Sequence, residues 1–200
     1  MLQRALREPF ATYVKAAAVM IAGLALGLLA TSLTLRAGYG FGALRVGPWI
    51  AWPQNGGADI DPYARAALAK RGEAPLGRDQ GLAFIARSDS DGGALDGRCE
   101  YRIVDPLPAA RFWTLGLATP QGTPLQSDGA RNILTSSDIL RNDDGAFEIA
   151  VARATRPGNW LSPGEMRDFV LVLRLYETPL DVDARHEATS FPKIVKRDCA

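Results

Sequence analysis

The feature that most constrains this chain is the stretch from Ala16 to Leu35, AAAVMIAGLALGLLATSLTL. It holds no charged residue, and only Thr31, Ser32 and Thr34 bring side-chain polarity. Coiled as an α-helix at about 1.5 Å per residue, it reaches about 30 Å, the thickness of a bilayer's hydrocarbon core. A helix pairs its own backbone N–H and C=O groups, which is the condition for crossing lipid. The expected organisation is a cytoplasmic N-terminal tail over 1–15, a transmembrane anchor over 16–35 and one exported domain over 36–200.

Orientation follows from the flanking charges. Arg4, Arg7 and Lys15 precede the apolar run, opposed by Glu8 alone, while Arg36 and the more distant Arg45 follow it. Positive charge is retained on the cytoplasmic side, so the N-terminus belongs inside and the bulk of the chain outside. In a bacterium this is a single-pass inner-membrane protein with its main domain in the periplasm. A cleaved signal peptide is the competing reading, but its apolar region is shorter, about 7–15 residues, and ends at a small-x-small site. Ser32-Leu33-Thr34 is a poor match to such a site, and the length favours a retained anchor. Within the run, Gly23 and Gly27 form a GxxxG spacing that lets two helices approach closely and would serve a homodimer. The frequency of Gly and Ala in spanning helices accounts for the same spacing without a dimer.

The remainder suits one domain by length. Hydrophobic residues make up 47% of the chain, enough for a core once the apolar run is set aside. Lys and Arg number 23 against 22 Asp and Glu, for a formal charge of +1, and no basic stripe marks a nucleic-acid surface. The 20 Gly and 13 Pro are spread along the chain, as expected for short strands joined by turns. Cys99 and Cys199 can form one bridge in an oxidising compartment, or stay as two thiols; spacing alone does not choose.

Asp61 to Gly72 predicts a short helix: Asp61 caps it, Pro62 suits its first position, Lys70 and Arg71 complement its C-terminal dipole and Gly72 stops it. Strands are predicted over Leu82–Arg87, Arg98–Val104, Arg111–Ala118, Phe147–Val151, Phe169–Tyr176 and Phe191–Val195. In Arg98–Val104 the residues Cys99, Tyr101 and Ile103 share one face, the alternation of a half-buried strand. FVLVLRLY, over Phe169–Tyr176, is the most apolar and is placed at the centre of a sheet. Thr135 and Asp138 predict a capped helical turn through Leu140. Trp49 and Trp52, framed by Pro48 and Pro53, are expected to pack the base of the domain. Strands and turns at this spacing describe a mainly β, jelly-roll-like sandwich with one or two short helices.

The segments VGPWIAWPQNGGADIDPYARAALAKRGEAPLG, DGRCEYRI, RFWTLGL, LTSSDILRNDDGAFEIAV, RPGNWL and FVLVLRLYETPL, in that order and spacing, resemble the domain of unknown function 1214 family, DUF1214. The resemblance covers about Gly38 to Cys199 and implies a jelly-roll-like β-sandwich. The chain resembles the short, membrane-attached branch of the family. Longer relatives carry a preceding domain of unknown function 1254, so the resemblance implies a separate envelope protein with that companion domain as a partner. It supplies no catalytic residues, metal or cofactor.

The sequence offers little catalytic chemistry. His186 is the sole histidine and sits in a polar segment, where a solvated loop residue is the simpler reading than a proton shuttle. Asp89, Asp91 and Asp96, and Asp143 with Asp144, are turn formers before they are Ca²⁺ ligands, since the complete cation-loop pattern is missing. Arg174 interrupts the apolar strand on the face shared by Val170 and Val172. A charge there must pair or meet water, and the alternatives are an ion pair with Glu100 or Glu148 and an anion-holding arginine in a cavity of the sandwich. Arg111, Glu177 and Trp160, with Asp168 at the margin, complete the candidate ligand site. Trp160 serves either as a carbohydrate-type platform or as an aromatic that staples a loop to the core. The expected function is a non-enzymatic binding or assembly module of the envelope. The alternative is an enzyme or small-molecule binder with its site inside the sandwich.

Overall fold

The computed structural model describes residues 2–37, 42–71, 75–77, 79–125, 131–180 and 191–199. His186, the predicted helix stop Gly72, and Tyr39 and Phe41, aromatics expected at the outer membrane interface or the base of the domain, lie outside the described residues.

Helix α1 runs from Leu2 to Ala37. Its stretch Thr12–Leu33 contains an 18-residue window with a mean hydropathy of 2.1, none of it buried, so α1 is long and apolar enough to cross a membrane. Val19 is 72% exposed and Leu24 66%, a continuous apolar surface of the kind that water does not tolerate on a folded domain.

Among the described residues ten strands then form two sheets. The first has six strands in the order β1 (Leu44–Val46), β2 (Trp49–Ala51), β3 (Gly81–Ala86), β9 (Val170–Tyr176), β5 (Phe112–Ala118) and β6 (Ile133–Thr135). The second has four, in the order β10 (Lys193–Cys199), β4 (Cys99–Val104), β7 (Glu148–Val151) and β8 (Asn159–Leu161). All neighbours are antiparallel except β7 and β8. The chain crosses between sheets repeatedly, from β3 to β4, β4 to β5, β6 to β7, β8 to β9 and β9 to β10. The result is a β-sandwich, with a 3-10 turn (Pro53–Gly56) and helix α2 (Pro62–Arg71) inserted between β2 and β3.

Side-chain alternation decides what lies between the sheets. Leu171, Leu173 and Leu175 of β9 point inward with Phe84, Trp113, Leu115 and Leu134 of the same sheet. Tyr101, Ile103, Ile149, Val151, Leu161 and Ile194 meet them from the other sheet. Trp49 is fully buried, and its indole Nε1 donates to the Pro192 carbonyl at 2.8 Å, tying β2 to the lead-in of β10. The predicted inward face of β4 is the observed one: Cys99, Tyr101 and Ile103 are buried, while Glu100 and Arg102 are half-buried. β9 sits in the middle of the larger sheet, as its apolar sequence requires of a strand covered on both faces.

Helix α2 starts as the sequence predicts. The Asp61 carboxylate accepts the Tyr63 N–H at 2.6 Å, and the Asp61 carbonyl accepts the Arg65 N–H at 2.9 Å. Ala64, Ala67 and Leu68 form its buried face.

Three local expectations change. The Thr135 hydroxyl does reach the Asp138 carboxylate, at 2.8 Å, but the segment is strand β6 followed by a turn rather than a helix. Ile133 and Leu134 are held by pairing with Gly116 and Leu115, which outweighs a local cap. Pro157-Gly158-Asn159-Trp160 reads in sequence as a turn, but Asn159–Leu161 is a strand, with Trp160 opposite Ala150. The last strand continues to Cys199, four residues beyond the apolar stretch, because β4 supplies its pairing and Cys99 is disulfide-bonded to Cys199.

Candidate functional site

The outward face of the six-stranded sheet carries the site. On β9 the residues alternating with the core leucines are Val170, Val172 and Arg174, and they point away from the sandwich interior. Val170 and Val172 form a small apolar cluster with Ala118 and Ile85. Arg174 follows in the same row, paired with Ala83 of β3 on one side and Thr114 of β5 on the other. These neighbours have small side chains, so the sheet is recessed around the guanidinium.

Walls rise around that recess. Trp52, Pro53, Asn55 and Gly56 stand on one side, Leu68 of α2 and Pro75–Leu76 beside them, and Gly122–Pro124 of the link after β5 opposite. The open cleft has a volume of about 330 Å³, at the lower end of the range of small-molecule sites. Ala83, Ile85, Val172 and Arg174 make the floor. The cleft is mainly apolar, and among the described residues Arg174 is the one charged side chain along its lining. A polar hollow of about 520 Å³ adjoins it at Gly56 and carries Asp59 and Asp79.

Arg174 and the cleft it lines are therefore on the outside of the larger sheet, not between the two sheets. Strand parity is the reason: Leu173 and Leu175 fill the interior, so Arg174 between them faces outward. The ion pairs anticipated for Arg174 are also not formed. Glu100 is bound by Arg156 at 2.7 Å and by Arg102 at 3.4 Å, and Glu148 is bound by Arg102. These residues line the outer face of the four-stranded sheet. Among the described residues Arg174 has no ion-pair partner.

The other candidates fall elsewhere. Arg111 and Glu177 do meet each other, at 2.9 Å, but in an exposed pair at the end of β5 and β9 that does not line the cleft. The hydrogen bond from Arg111 to Glu177 holds the guanidinium's pKa above its ordinary value. Glu177 adopts φ 47°, the left-handed region, where its N–H donates to the Gln80 carbonyl at 3.0 Å. Trp160 lies on the opposite sheet, half-buried, with its indole N–H donated to the Ala152 carbonyl at 2.9 Å, the geometry of a loop staple. Asp168 forms an isolated bridge with Asp96.

The aspartates of the 89–97 turn are engaged locally. The buried Asp89 carboxylate accepts the Asp91 and Gly93 N–H groups at 3.0 and 2.8 Å, and Asp96 holds Arg98 at 2.6 Å. That hydrogen bond keeps the Asp96 carboxyl well below the usual carboxylate range. The Arg156 hydrogen bond, followed by the nearby positive charge of Arg156 and Arg102, lowers the pKa of Glu100. Among the described residues no three His, Cys, Asp or Glu side chains converge on a cation site. Gly23 and Gly27 lie on α1 with nothing within 4 Å of where a Cβ would stand.

Of the cleft's lining only Arg174 stands out in the sequence. Ile85 reads as one more strand residue, Leu68 as the face of a short helix and Trp52 as a packing aromatic. Their convergence depends on α2 and the 3-10 turn folding back over the sheet.

The fold and cleft define a two-sheet β-sandwich domain with an external ligand-sized recess. The family model described as protein of unknown function, DUF1214, matches residues 80–180, and the chain belongs to that family. Among solved structures, the VPA0106 protein of Vibrio parahaemolyticus is similar at 18% identity with a TM-score of 0.54, over 70% of this chain and 36% of that one. An uncharacterised protein from Burkholderia cenocepacia matches at 26% identity with a TM-score of 0.44, over 64% of this chain and 32% of that one. The chain thus spans about a third of the length of either. No curated protein matches.

Proposed function

We propose that this protein is a membrane-anchored, periplasmic binding module of the bacterial envelope, and that it binds through the cleft on its larger sheet. The observation that carries the reading is Arg174. It is a guanidinium set in an apolar recess of about 330 Å³, with no ion-pair partner among the described residues. An arginine so placed presents planar donors to an anionic group while the surrounding apolar walls take the rest of the ligand. Among the described residues lining the cleft there is no carboxylate, histidine or cysteine beside it, which favours binding over catalysis. Three features support the address. These are the apolar span of α1, the basic residues before it and the Cys99–Cys199 bridge, a bond that persists in oxidising compartments.

A second reading has one observation in its favour. The chain spans 36% of the Vibrio protein it matches, so a sandwich of this kind occurs there within a longer chain. This favours assembly with a separate envelope protein, one carrying the companion domain implied by the family resemblance.

The test is purification of the full-length chain from its own membranes, with mass spectrometry of extracted small molecules and of crosslinked proteins. Ile85→Trp, which fills the cleft floor, is the control. A compound enriched with the native chain and lost in the variant is the expected result. No enriched compound, together with one dominant crosslinked protein in both samples, would replace binding by assembly.

A further inference from the structure

Resting on the binding reading above, we infer that the ligand of the cleft is a single-chain amphiphile with one carboxylate head, drawn from the adjacent membrane. Three observations converge on this chemistry. The floor and walls offer Ile85, Val172, Leu68, Trp52, Pro53 and Pro124 to an apolar body. Arg174, at the edge of the Ile85–Val172 row, offers one fork of N–H donors, the geometry that matches a carboxylate. The adjoining hollow carries Asp59 and Asp79 and repels a second negative charge.

The source follows from connectivity. Helix α1 ends at Ala37 and β1 begins at Leu44. Seven residue steps span at most about 25 Å, so the sandwich is held close to the end of the spanning helix. Helix α2, which supplies Leu68 to the cleft wall, is in contact with α1. One wall of the cleft, Trp52, Pro53, Asn55, Gly56 and Leu68, is therefore built on elements that follow α1 closely in the chain, within reach of a molecule leaving the bilayer surface.

The experiment places the full chain in nanodiscs of uncharged phosphatidylcholine and titrates dodecanoate, its methyl ester and butyrate, with empty nanodiscs subtracted. Dodecanoate is expected to bind saturably. The ester and butyrate are each expected to bind at least about tenfold more weakly, the first for want of a charge on Arg174 and the second for want of a chain. Arg174→Leu is expected to weaken dodecanoate at least about tenfold while leaving the ester unchanged. Ala83→Leu is expected to weaken both. Circular dichroism establishes that each variant is folded. Butyrate binding as tightly as dodecanoate, and lost in Arg174→Leu, would overturn the amphiphile while leaving an anion-binding cleft. Dodecanoate binding that survives Arg174→Leu, or absent binding of all three probes to the native chain, would overturn the inference outright.

Discussion

Ala83 stands directly opposite Arg174 across the β3–β9 ladder, so a methyl side chain is all that flanks the guanidinium on that side of the cleft floor. The pair makes room rather than a bond, and its consequences differ from those of an ion pair. Removing one partner of a buried ion pair costs about 3–5 kcal/mol. Arg174, half-buried and without an ion-pair partner among the described residues, has no such cost to lose. Arg174→Leu is expected to change the stability of the full chain by less than about 1 kcal/mol, read as an unchanged or slightly raised melting temperature in micelles. A fall of 3 kcal/mol or more would show that Arg174 is structural.

Gly81 opens β3 at φ 150°, and a Cβ placed there would stand 2.0 Å from the Leu175 carbonyl oxygen. That oxygen belongs to the central strand and has little freedom to move. Gly81→Ala is expected to destabilise the chain by about 2–4 kcal/mol, a melting-point drop of several degrees. Gly145→Ala, in an open turn at φ 81° with nothing within 4 Å, is expected to cost about 1 kcal/mol from the backbone alone. Measuring both in one melting series separates steric overlap from conformational preference.

Cys99 and Cys199 are 100 residues apart in sequence and bridge the edge strand β10 to β4. Closing so long a loop restricts the unfolded chain, and Cys199→Ser is expected to cost about 2–4 kcal/mol. Maleimide labelling of the denatured full-length protein is expected to add nothing before reduction and two groups after it. Labelling of both cysteines without reductant would show that the bridge does not form in the cell.

Acid sensitivity should concentrate on two carboxylates. Glu100 is held below its ordinary value near 4.5 by the Arg156 hydrogen bond, and Asp96 below 3.8 by Arg98. A carboxylate whose folded pKa is depressed stabilises the fold at pH values above its unfolded pKa. That stability is lost as pH falls through the folded pKa. Stability is therefore expected to be flat from neutrality to about pH 5 and to decline below about pH 4.5. Glu100→Gln is expected to lower the neutral plateau and flatten part of the acid slope, measured by chemical denaturation across pH. An unchanged slope in that variant would remove Glu100 from the account.

Much of this architecture was legible before any coordinates. The charge-free stretch within α1, the alternation of Cys99, Tyr101 and Ile103, the Asp61–Pro62 helix start and the central place of FVLVLRLY are local signals. Periodicity and capping express them within a few residues, so the sequence alone determines a spanning-length helix followed by a two-sheet β domain. The short strands β1, β6 and β8 were not legible. Three residues show no period, and Ile133–Thr135 and Asn159–Leu161 become strands only because Gly116, Leu115 and Ile149 present pairing partners. The cleft was beyond reach for the same reason. Arg174 announced itself as a charge among apolar residues, but which face it takes follows from how Leu173 and Leu175 are claimed by the core. Its lack of an ion pair follows from Glu100 and Glu148 lying on the other sheet. Local sequence chose the elements; the packing of distant segments, α2 and the 3-10 turn over the β3–β9 face, set one arginine in the floor of a cleft.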